Sequence, residues 1–158
     1  MGFFLTHSCP PRSAPPSRYN TPMSEELSIP AREAVVTNEA PKAIGPYSQG
    51  IRAGNLVFTS GQIALHPETQ QVVPGGVSEQ ATQVFANLKA ILEAAGSSFA
   101  QVVKATVFLK NFDDFAAMNT IYAEHLASAG APPPARTTVE VSRLPKDVLV
   151  EIDLIALV

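Results

Sequence analysis

The stretch PPPARTTVEVSRLPKDVLVEIDLIALV, residues 132–158, closes the chain and carries the pattern on which the fold prediction depends. It predicts two neighbouring strands joined by a turn, with Arg136 near the start of the first strand, behind three prolines. The second strand is apolar at most positions, yet Glu151 and Asp153 lie within it. A buried strand normally takes hydrocarbon, so these two charges need an explanation.

A long amphipathic helix is predicted over VSEQATQVFANLKAILEAAG, residues 77–96. Its apolar positions recur at the helical period of about 3.6 residues; they are Ala81, Val84, Phe85, Leu88, Ile91, Leu92 and Ala95. Ser78 is the expected N-cap, Glu79 suits the positive end of the helix dipole, and Gly96 is the expected stop.

A second helix is expected to begin at Asp113 or Asp114, either of which can cap it, and to end at Gly130. Its expected buried stripe is Phe115, Met118, Ile121, Tyr122 and Leu126. Between the helices, VVKATVFLK at residues 102–110 is rich in β-branched residues and predicts a strand.

The first half of the folded region predicts strands and turns. AVVT at 34–37 is the expected first strand, and residues 45–65 predict a hairpin whose arms join near Ala53-Gly54-Asn55. Residues 66–76 predict a loop, with a short extended piece at 72–73. Runs of strands with only two helices favour an α+β layer, in which both helices cover one face of a mixed sheet.

The last strand is apolar on both of its faces. Its first face carries Val148, Val150, Ile152, Leu154 and Ala156, and its second carries Leu149, Ile155 and Leu157 beside the two acids. A strand that is apolar on both faces is covered on both faces. Since the two helices cover only one, we infer a homo-oligomer in which Glu151 lies at or near a subunit boundary.

Composition excludes several classes of protein. The chain has 158 residues, 46% of them apolar and 16% charged, which is typical of one globular domain. No apolar run approaches the roughly 20 residues that span a bilayer, so we expect no membrane partner. Residues 23–158 carry nine basic and fourteen acidic side chains, a net charge of 9 − 14 = −5. Such a body is a poor match for nucleic acid.

The histidines and the single cysteine predict neither a metal site nor a disulfide. His7, His66 and His125 share no ligand spacing, and Cys9 has no partner in the chain. One cysteine is consistent with a reducing compartment, and we expect a cytoplasmic protein.

The first residues predict an unfolded extension. Residues 1–32 are rich in Pro and Ser and lack periodicity, so the folded domain is expected over 33–158. Two interpretations of residues 1–22 stand side by side. They carry Arg12 and Arg18 without an acid, as organellar transit peptides do; alternatively, Met23 is the true start and the preceding residues are not native.

Arg136 and Glu151 admit a structural and a functional interpretation. The structural one is a buried ion pair or an exposed edge charge, and the residues alone favour it. The functional one is a site in which Arg136 holds an anion and Glu151 handles a proton or a water molecule. Because Arg136 lies at the far end of the neighbouring strand, the two need not be close within one subunit.

Three stretches together resemble the RidA family, also called YjgF or reactive-intermediate deaminase. They are APKAIGPYSQGIRAGNLVFTSGQIAL (40–65), VKATVFLKNFDDFAAMN (103–119) and PPARTTVEVSRLPKDVLVEIDLIAL (133–157). The resemblance runs from about Val35 to Val158. It implies a chorismate-mutase-like α+β fold, assembled as a homotrimer with a barrel-like centre and with sites between subunits.

The resemblance also implies an activity and its residues. The activity is cofactor-free hydrolysis of reactive 2-imino acids, of the 2-iminobutanoate or 2-iminopropanoate type, and their enamine tautomers to 2-keto acids and ammonia. Arg136 would bind the substrate carboxylate with a bidentate fork, and Glu151 would orient water and relay protons. The implied pocket residues are Tyr47, Ser60, Gly61, Asn119 and Thr138.

Thr138 departs from the family pattern, because many members carry cysteine at that position. Roles that need a thiol there become doubtful, whereas hydrolysis needs only water and an electrophilic carbon. Two alternative functions remain open. One is a trimer that binds carboxylates or acts as a chaperone without catalysis, and the other is an endoribonuclease or translation inhibitor. Only the hydrolase requires Glu151, and the nuclease would require a basic track that the sequence lacks.

Overall fold

The structure is a computed structural model that describes residues 31–127 and 130–158. Residues 1–30 of the predicted N-terminal extension, with the start at Met23, the transit-peptide alternative and Cys9, lie outside the described residues, whereas Arg32, the last residue of that extension, is already in the first strand. The domain boundary near residue 33 therefore stays a prediction.

Seven strands form one mixed sheet with the spatial order β1-β2-β3-β7-β5-β6, and the short β4 pairs with β7. The strands are β1 (Arg32–Val35), β2 (Gly50–Ala53), β3 (Leu56–Thr59), β4 (Gln62–Ile63), β5 (Val102–Leu109), β6 (Ala135–Glu140) and β7 (Val150–Leu157). The hairpin predicted around residue 54 is confirmed as β2–β3, where Gly54 takes φ +61°. The predicted first strand is shifted: it begins at Arg32 and ends at Val35 because its pairing with β2 ends there.

The last two strands are not neighbours, and that prediction is wrong. β6 pairs in parallel with β5, and β5 pairs antiparallel with β7, so β5 lies between them. The turn at Pro145–Asp147 crosses over β5 instead of closing a hairpin. In the part of the chain that the structure describes, β6 forms an edge of the sheet with no strand on its outer side.

The first helix, α1 (Val77–Ala94), follows its predicted bounds closely. All seven of its predicted core side chains are buried, and Gly96 ends it with φ +80°. The predicted cap is wrong, because Ser78 lies inside the helix and Gly76 occupies the N-cap. Glu79 satisfies the helix start, since its Oε2 accepts from the Gly76 amide at 2.8 Å.

The second helix, α2 (Phe115–Tyr122), begins after a single 3₁₀ turn, Phe112–Asp114. Neither predicted aspartate caps it with its side chain; Asn111 Oδ1 instead accepts from the Asp113 amide at 3.0 Å. The chain continues into a π-helical turn, Ala123–Ala127. Within the predicted stripe Met118, Tyr122 and Leu126 are buried, while Phe115 and Ile121 are half-buried.

Both helices pack on one face of the sheet, as predicted. The helix face of β7 is fully covered: Val150, Ile152, Leu154 and Ala156 have no exposed surface. On the other face of β7, Glu151, Asp153 and Ile155 are half-buried and Leu157 is 41% exposed. A single subunit therefore leaves uncovered the face for which the sequence predicts a second copy of the chain.

Candidate active site

Glu151 lies at the centre of the sheet, where its neighbours are Phe108 on β5 and Ile63 on β4. Its side chain leaves the sheet on the open face, away from the helices. The carboxylate packs directly on Gly61: a Cβ built there would overlap Oε1 and lie 2.9 Å from Cδ. Any side chain at position 61 would therefore displace the acid, which explains the glycine without any need for unusual backbone angles.

A cavity of about 550 Å³ opens beside this carboxylate. It contains four of the residues that the sequence predicts for the site: Tyr47, Ser60, Gly61 and Glu151. Its volume lies within the range of about 300–1,000 Å³ that is usual for small-molecule sites. Several further residues that the sequence did not predict for the site also line the cavity, among them Lys42, Ile44, Gln49 and Lys146.

The loop that carries Tyr47 is held by two polar side chains. The buried Gln49 donates to the carbonyls of Ala40 and Pro41 at 3.2 and 2.9 Å, and the Ser60 hydroxyl donates to the Ser48 carbonyl at 2.6 Å. The hydroxyl of Tyr47 accepts from the Ile44 amide at 3.2 Å. The Ser60 hydroxyl thus fixes the wall of the cavity, and the anchoring role of Gln49 was not predictable because it depends on a burial that only the structure shows.

Burial raises the pKa of Glu151 above that of an ordinary glutamate, and the Asp153 carboxylate two residues along the strand raises it further. No cation pairs with Glu151 and no group donates a hydrogen bond to it among residues 31–127 and 130–158. The acid is therefore poised to hold and release a proton closer to neutrality than a surface glutamate is.

Arg136 is held on the opposite face of the sheet. Its guanidinium carbon lies 4.4 Å from the ring centroid of Tyr122 and 5.4 Å from that of Phe115, and its Nη1 donates to Asn119 Oδ1 at 2.8 Å. All three partners belong to α2. Cation–π contacts and a hydrogen bond thereby orient the guanidinium without neutralising it, since no carboxylate pairs with it among the described residues.

Two buried hydroxyls near Arg136 lack partners in the described chain. Thr138 lies two residues further along β6, on the same face, and its Oγ1 is buried without a hydrogen bond, as is the Tyr122 hydroxyl. Burial raises the pKa of Tyr122, and the positive charge of Arg136 partly offsets that effect. Buried polar atoms are normally satisfied, so these two hydroxyls are exceptions within the described part of the chain.

The structure divides the seven predicted site residues into two groups. Tyr47, Ser60, Gly61 and Glu151 surround the cavity on the open face, whereas Asn119, Arg136 and Thr138 lie on the helix face. The register shows why: Arg136 stands beside Ala105, which faces the helices, while Glu151 stands beside Phe108 on the other side of the sheet. One subunit does not bring the guanidinium and the carboxylate to one point.

Within the described ranges there is no group of three or more His, Cys, Asp or Glu side chains that could hold a metal ion. No helix in the described part of the chain is long and apolar enough to cross a membrane. His125 instead stacks on Phe85, with ring centroids 4.7 Å apart.

Comparison with known proteins places these features in context. The family model described as "Endoribonuclease L-PSP" matches residues 37–158. A RutC family protein of Pyrococcus horikoshii is 55% identical over 125 residues, which cover 79% of this chain and 97% of that protein.

Two Escherichia coli proteins are also similar. The protein named 2-iminobutanoate/2-iminopropanoate deaminase is 49% identical over 124 residues, covering 78% of this chain and 96% of its own. The crystal structure of TdcF with bound serine superposes with a TM-score of 0.76 at 44% identity, over 80% of this chain and 98% of TdcF.

Proposed function

The chain belongs to the YjgF/RidA family, and we propose that it hydrolyses reactive 2-imino acids to 2-keto acids and ammonia. One observation carries this proposal: the chain holds a guanidinium and a carboxylate, neither of which has an ion-pair partner among the described residues of its own subunit. Glu151 is half-buried, and a carboxylate in that position is costly unless a ligand or another subunit completes it, whereas the exposed guanidinium of Arg136 is free to bind an anion.

We place the active site between subunits of a homotrimer. In that arrangement the edge strand β6 of one subunit presents Arg136 to the Glu151 cavity of its neighbour. The half-covered second face of β7 and the unpaired edge of β6 favour this assembly.

Each charge has a role in the proposed reaction. Arg136 binds the substrate carboxylate through two parallel N–H···O bonds, which places the C=N carbon above Glu151. Glu151 accepts a proton from the attacking water as the C–O bond forms and returns a proton to the nitrogen. Glu151 then passes the proton of the added hydroxyl to the nitrogen, the C=O bond forms as the C–N bond breaks, and ammonia and the 2-keto acid leave. An enamine enters the same route once its carbon is protonated to give the imine.

The surroundings of Glu151 suit this exchange of protons. A general acid–base group works best when its pKa lies near the working pH, and burial shifts Glu151 in that direction. The residues of the cavity complete the reaction with water alone, so we propose no cofactor. We also propose a cytoplasmic role in removing reactive imines, which form when pyridoxal-dependent dehydratases act on serine and threonine.

The main alternative is a trimer that binds carboxylates without catalysis, and the serine in the TdcF structure shows that a relative binds a small carboxylate. That alternative uses Arg136 but has no need of Glu151. The family description also names an endoribonuclease, which the net charge of −5 over residues 23–158 disfavours.

The decisive assay generates the imine in situ with a serine or threonine dehydratase and follows its capture by semicarbazide. We expect the wild-type protein to reduce semicarbazone formation. Arg136→Ala is expected to lower kcat/KM by about 10- to 150-fold, since a charged hydrogen bond contributes about 1.5–3 kcal/mol. Arg136→Lys keeps the charge but loses the fork, and should recover only part of the activity.

Arg52→Ala is the matched control, because Arg52 on β2 lies outside the Glu151 cavity and the α2 contacts of Arg136. It should behave as wild type. Equal imine decay with wild-type protein and with Arg136→Ala would refute the proposed hydrolase.

A further inference from the structure

The turn between β6 and β7 has an unusual backbone. Lys146 and Asp147 follow one another with φ of 55° and 56°, in the left-handed region that non-glycine residues rarely occupy. Two such residues in succession persist only where their surroundings hold them. Strain of this kind is concentrated at functional sites, so the turn needs a reason.

A local clamp holds the turn in this shape. Arg143 grips Asp147 with two hydrogen bonds, Nε to Oδ1 at 2.9 Å and Nη2 to Oδ2 at 3.0 Å. The Asp147 amide donates to the Leu144 carbonyl at 3.1 Å, and Pro145 fixes the entry to the turn. The result is that Pro145 and Lys146 form part of the wall of the Glu151 cavity.

Lys146 shares that wall with a second lysine, Lys42. Neither amine forms an ion pair or a hydrogen bond in the described part of the chain. The pKa of Glu151 is raised, an effect that a lysine at ion-pair distance would oppose, so neither amine is neutralised by that carboxylate. The wall of the cavity thus includes two exposed lysines and one half-buried acid, a balance that favours anions even before Arg136 of a neighbouring subunit is counted.

We propose that Lys146, with Lys42, forms a second anion-binding subsite, and that the preferred substrates are 2-imino acids whose side chain ends in a carboxylate. This inference rests on the proposed function. Arg136 of a neighbouring subunit would hold the carboxylate next to the reacting carbon, and Glu151 would act at that carbon. The two lysines then bind the carboxylate at the other end of the substrate.

The size of the cavity supports such a substrate. About 550 Å³ exceeds what a three- or four-carbon monocarboxylic imine fills, and Glu151, Lys42 and Lys146 all line this space. A dicarboxylic imine would use both the space and the charge. The chemistry of hydrolysis is unchanged: water adds to the C=N carbon and ammonia leaves.

The test compares two imines under the same semicarbazide competition. 2-Iminosuccinate is formed from aspartate by a flavin-dependent aspartate oxidase, and 2-iminopropanoate from serine by a dehydratase. We expect the wild-type kcat/KM to be about tenfold higher for the dicarboxylic imine, as one added charged hydrogen bond would give. In Lys42→Met/Lys146→Met the ratio of the two kcat/KM values should fall by about the same factor.

Lys89→Met is the matched control, since Lys89 on α1 is an exposed lysine outside this cavity. It removes one positive charge, where the double variant removes two. The ratio of kcat/KM for 2-iminosuccinate to kcat/KM for 2-iminopropanoate should stay at the wild-type value. A ratio that is the same in wild type and in the double variant, with 2-iminopropanoate still hydrolysed, would overturn the lysine subsite and leave the hydrolase intact.

Calorimetric titration separates the two possible failures. Oxaloacetate should bind the wild-type protein more tightly than pyruvate, and the double lysine variant should lose this difference. If no imine is hydrolysed but the difference in binding is present, the hydrolase fails and the lysine subsite stands. Equal affinity of the wild-type protein for both acids would overturn the subsite whatever the kinetics show.

Discussion

The guanidinium of Arg136, on the helix face of the sheet, lies against two aromatic rings and donates to an amide oxygen on α2. The carboxylate of Glu151, on the open face, lies against Gly61 and has no hydrogen-bond partner among the residues described. Several contacts therefore orient the guanidinium. The carboxylate, in contrast, occupies the space that the missing side chain of Gly61 leaves free.

This difference suits the two groups to different tasks, carboxylate binding for Arg136 and proton transfer for Glu151. A guanidinium keeps its charge, so contacts that fix its direction prepare it to bind a carboxylate. A half-buried acid without partners has a raised pKa and holds its proton up to a higher pH than a surface glutamate does, which suits proton transfer. Both groups are incomplete in one subunit, and the sheet separates them. We infer that the oligomer brings Arg136, which we call the binding end of the site, next to Glu151 of another subunit, which we call the titrating end.

The largest expected effect comes from removing the titrating end. Glu151→Gln keeps the shape of the side chain and abolishes its proton transfer, so we expect kcat to fall by about 100-fold or more. Binding of pyruvate, which depends on Arg136, should be retained in a calorimetric titration. Undiminished turnover by this variant would favour the carboxylate-binding module over the enzyme.

The same variant tests the raised pKa through stability. Because the pKa of Glu151 is raised in the folded state, its contribution to stability is fully present below the unfolded value of about 4.3 and is lost as pH rises through the folded value. Glu151→Gln should therefore unfold at a higher temperature than wild type at pH 7. The difference should shrink when thermal unfolding is repeated near pH 4.

A smaller effect is expected when the acid is kept but displaced. In Gly61→Ala the new methyl group occupies the position of Glu151 Oε1, and the flexible side chain can move aside, so stability should change little. A shift of about 1 Å in a catalytic group can cost about 100-fold, and we expect a loss of about 10- to 100-fold in kcat. The value of kcat is measured by steady-state kinetics and the stability by thermal unfolding, both on the same preparation of Gly61→Ala.

Gly76→Ala is the control for that substitution, because a Cβ at Gly76 would meet Glu79 at an ordinary 3.5 Å and is remote from the cavity. Its kcat should equal that of wild type. If Gly61→Ala retains full activity, the packing of Glu151 on Gly61 has no catalytic meaning.

The smallest expected effect comes from weakening the binding end. Tyr122→Leu removes the closer ring beneath Arg136, and a cation–π contact of about 0.5–2 kcal/mol predicts a rise in KM of about 2- to 30-fold with little change in kcat. Arg136 itself remains, so the loss should be below that of Arg136→Ala. A change confined to kcat would contradict a positioning role.

Phe99→Leu controls for lost packing in Tyr122→Leu. Phe99 and Tyr122 both meet Phe85 edge-on, with centroids 5.9 and 6.0 Å away, but no contact joins Phe99 to Arg136. Both variants should lose comparable stability in thermal unfolding. Only Tyr122→Leu should raise KM.

Much of the fold was predictable because it depends on local patterns. The helical period fixed the core face of α1, and the turn at Gly54 fixed the first hairpin. The caps were predicted only in part. Asp114 occupies the N-cap of α2 but makes no capping bond with its side chain, and Gly76 takes the N-cap expected of Ser78. Glu79 and Asn111 accept from the nearby amides instead, because several polar residues near a helix start compete for them. Propensity alone does not decide between such neighbours.

The relation between the last two strands was not predictable from local pattern. A turn after β6 suggested a hairpin, but β5 pairs with both strands and separates them. Strand order depends on long-range pairing, which a single sequence does not display. For the same reason the contacts of Arg136 with Tyr122 and Phe115 were not predictable. In the sequence these two residues have the pattern of ordinary core aromatics, and only the packing of α2 against β6 brings them to Arg136.

The most direct test of the central claim mixes two inactive variants. Arg136→Ala and Glu151→Gln subunits are combined at equal amounts by co-expression or by refolding, and imine hydrolysis is measured per subunit. If each site takes its arginine from one subunit and its acid from the next, every mixed trimer contains one intact site. Random mixing should then restore about one quarter of wild-type activity. No recovery in particles shown to contain both variants would contradict a site shared between subunits.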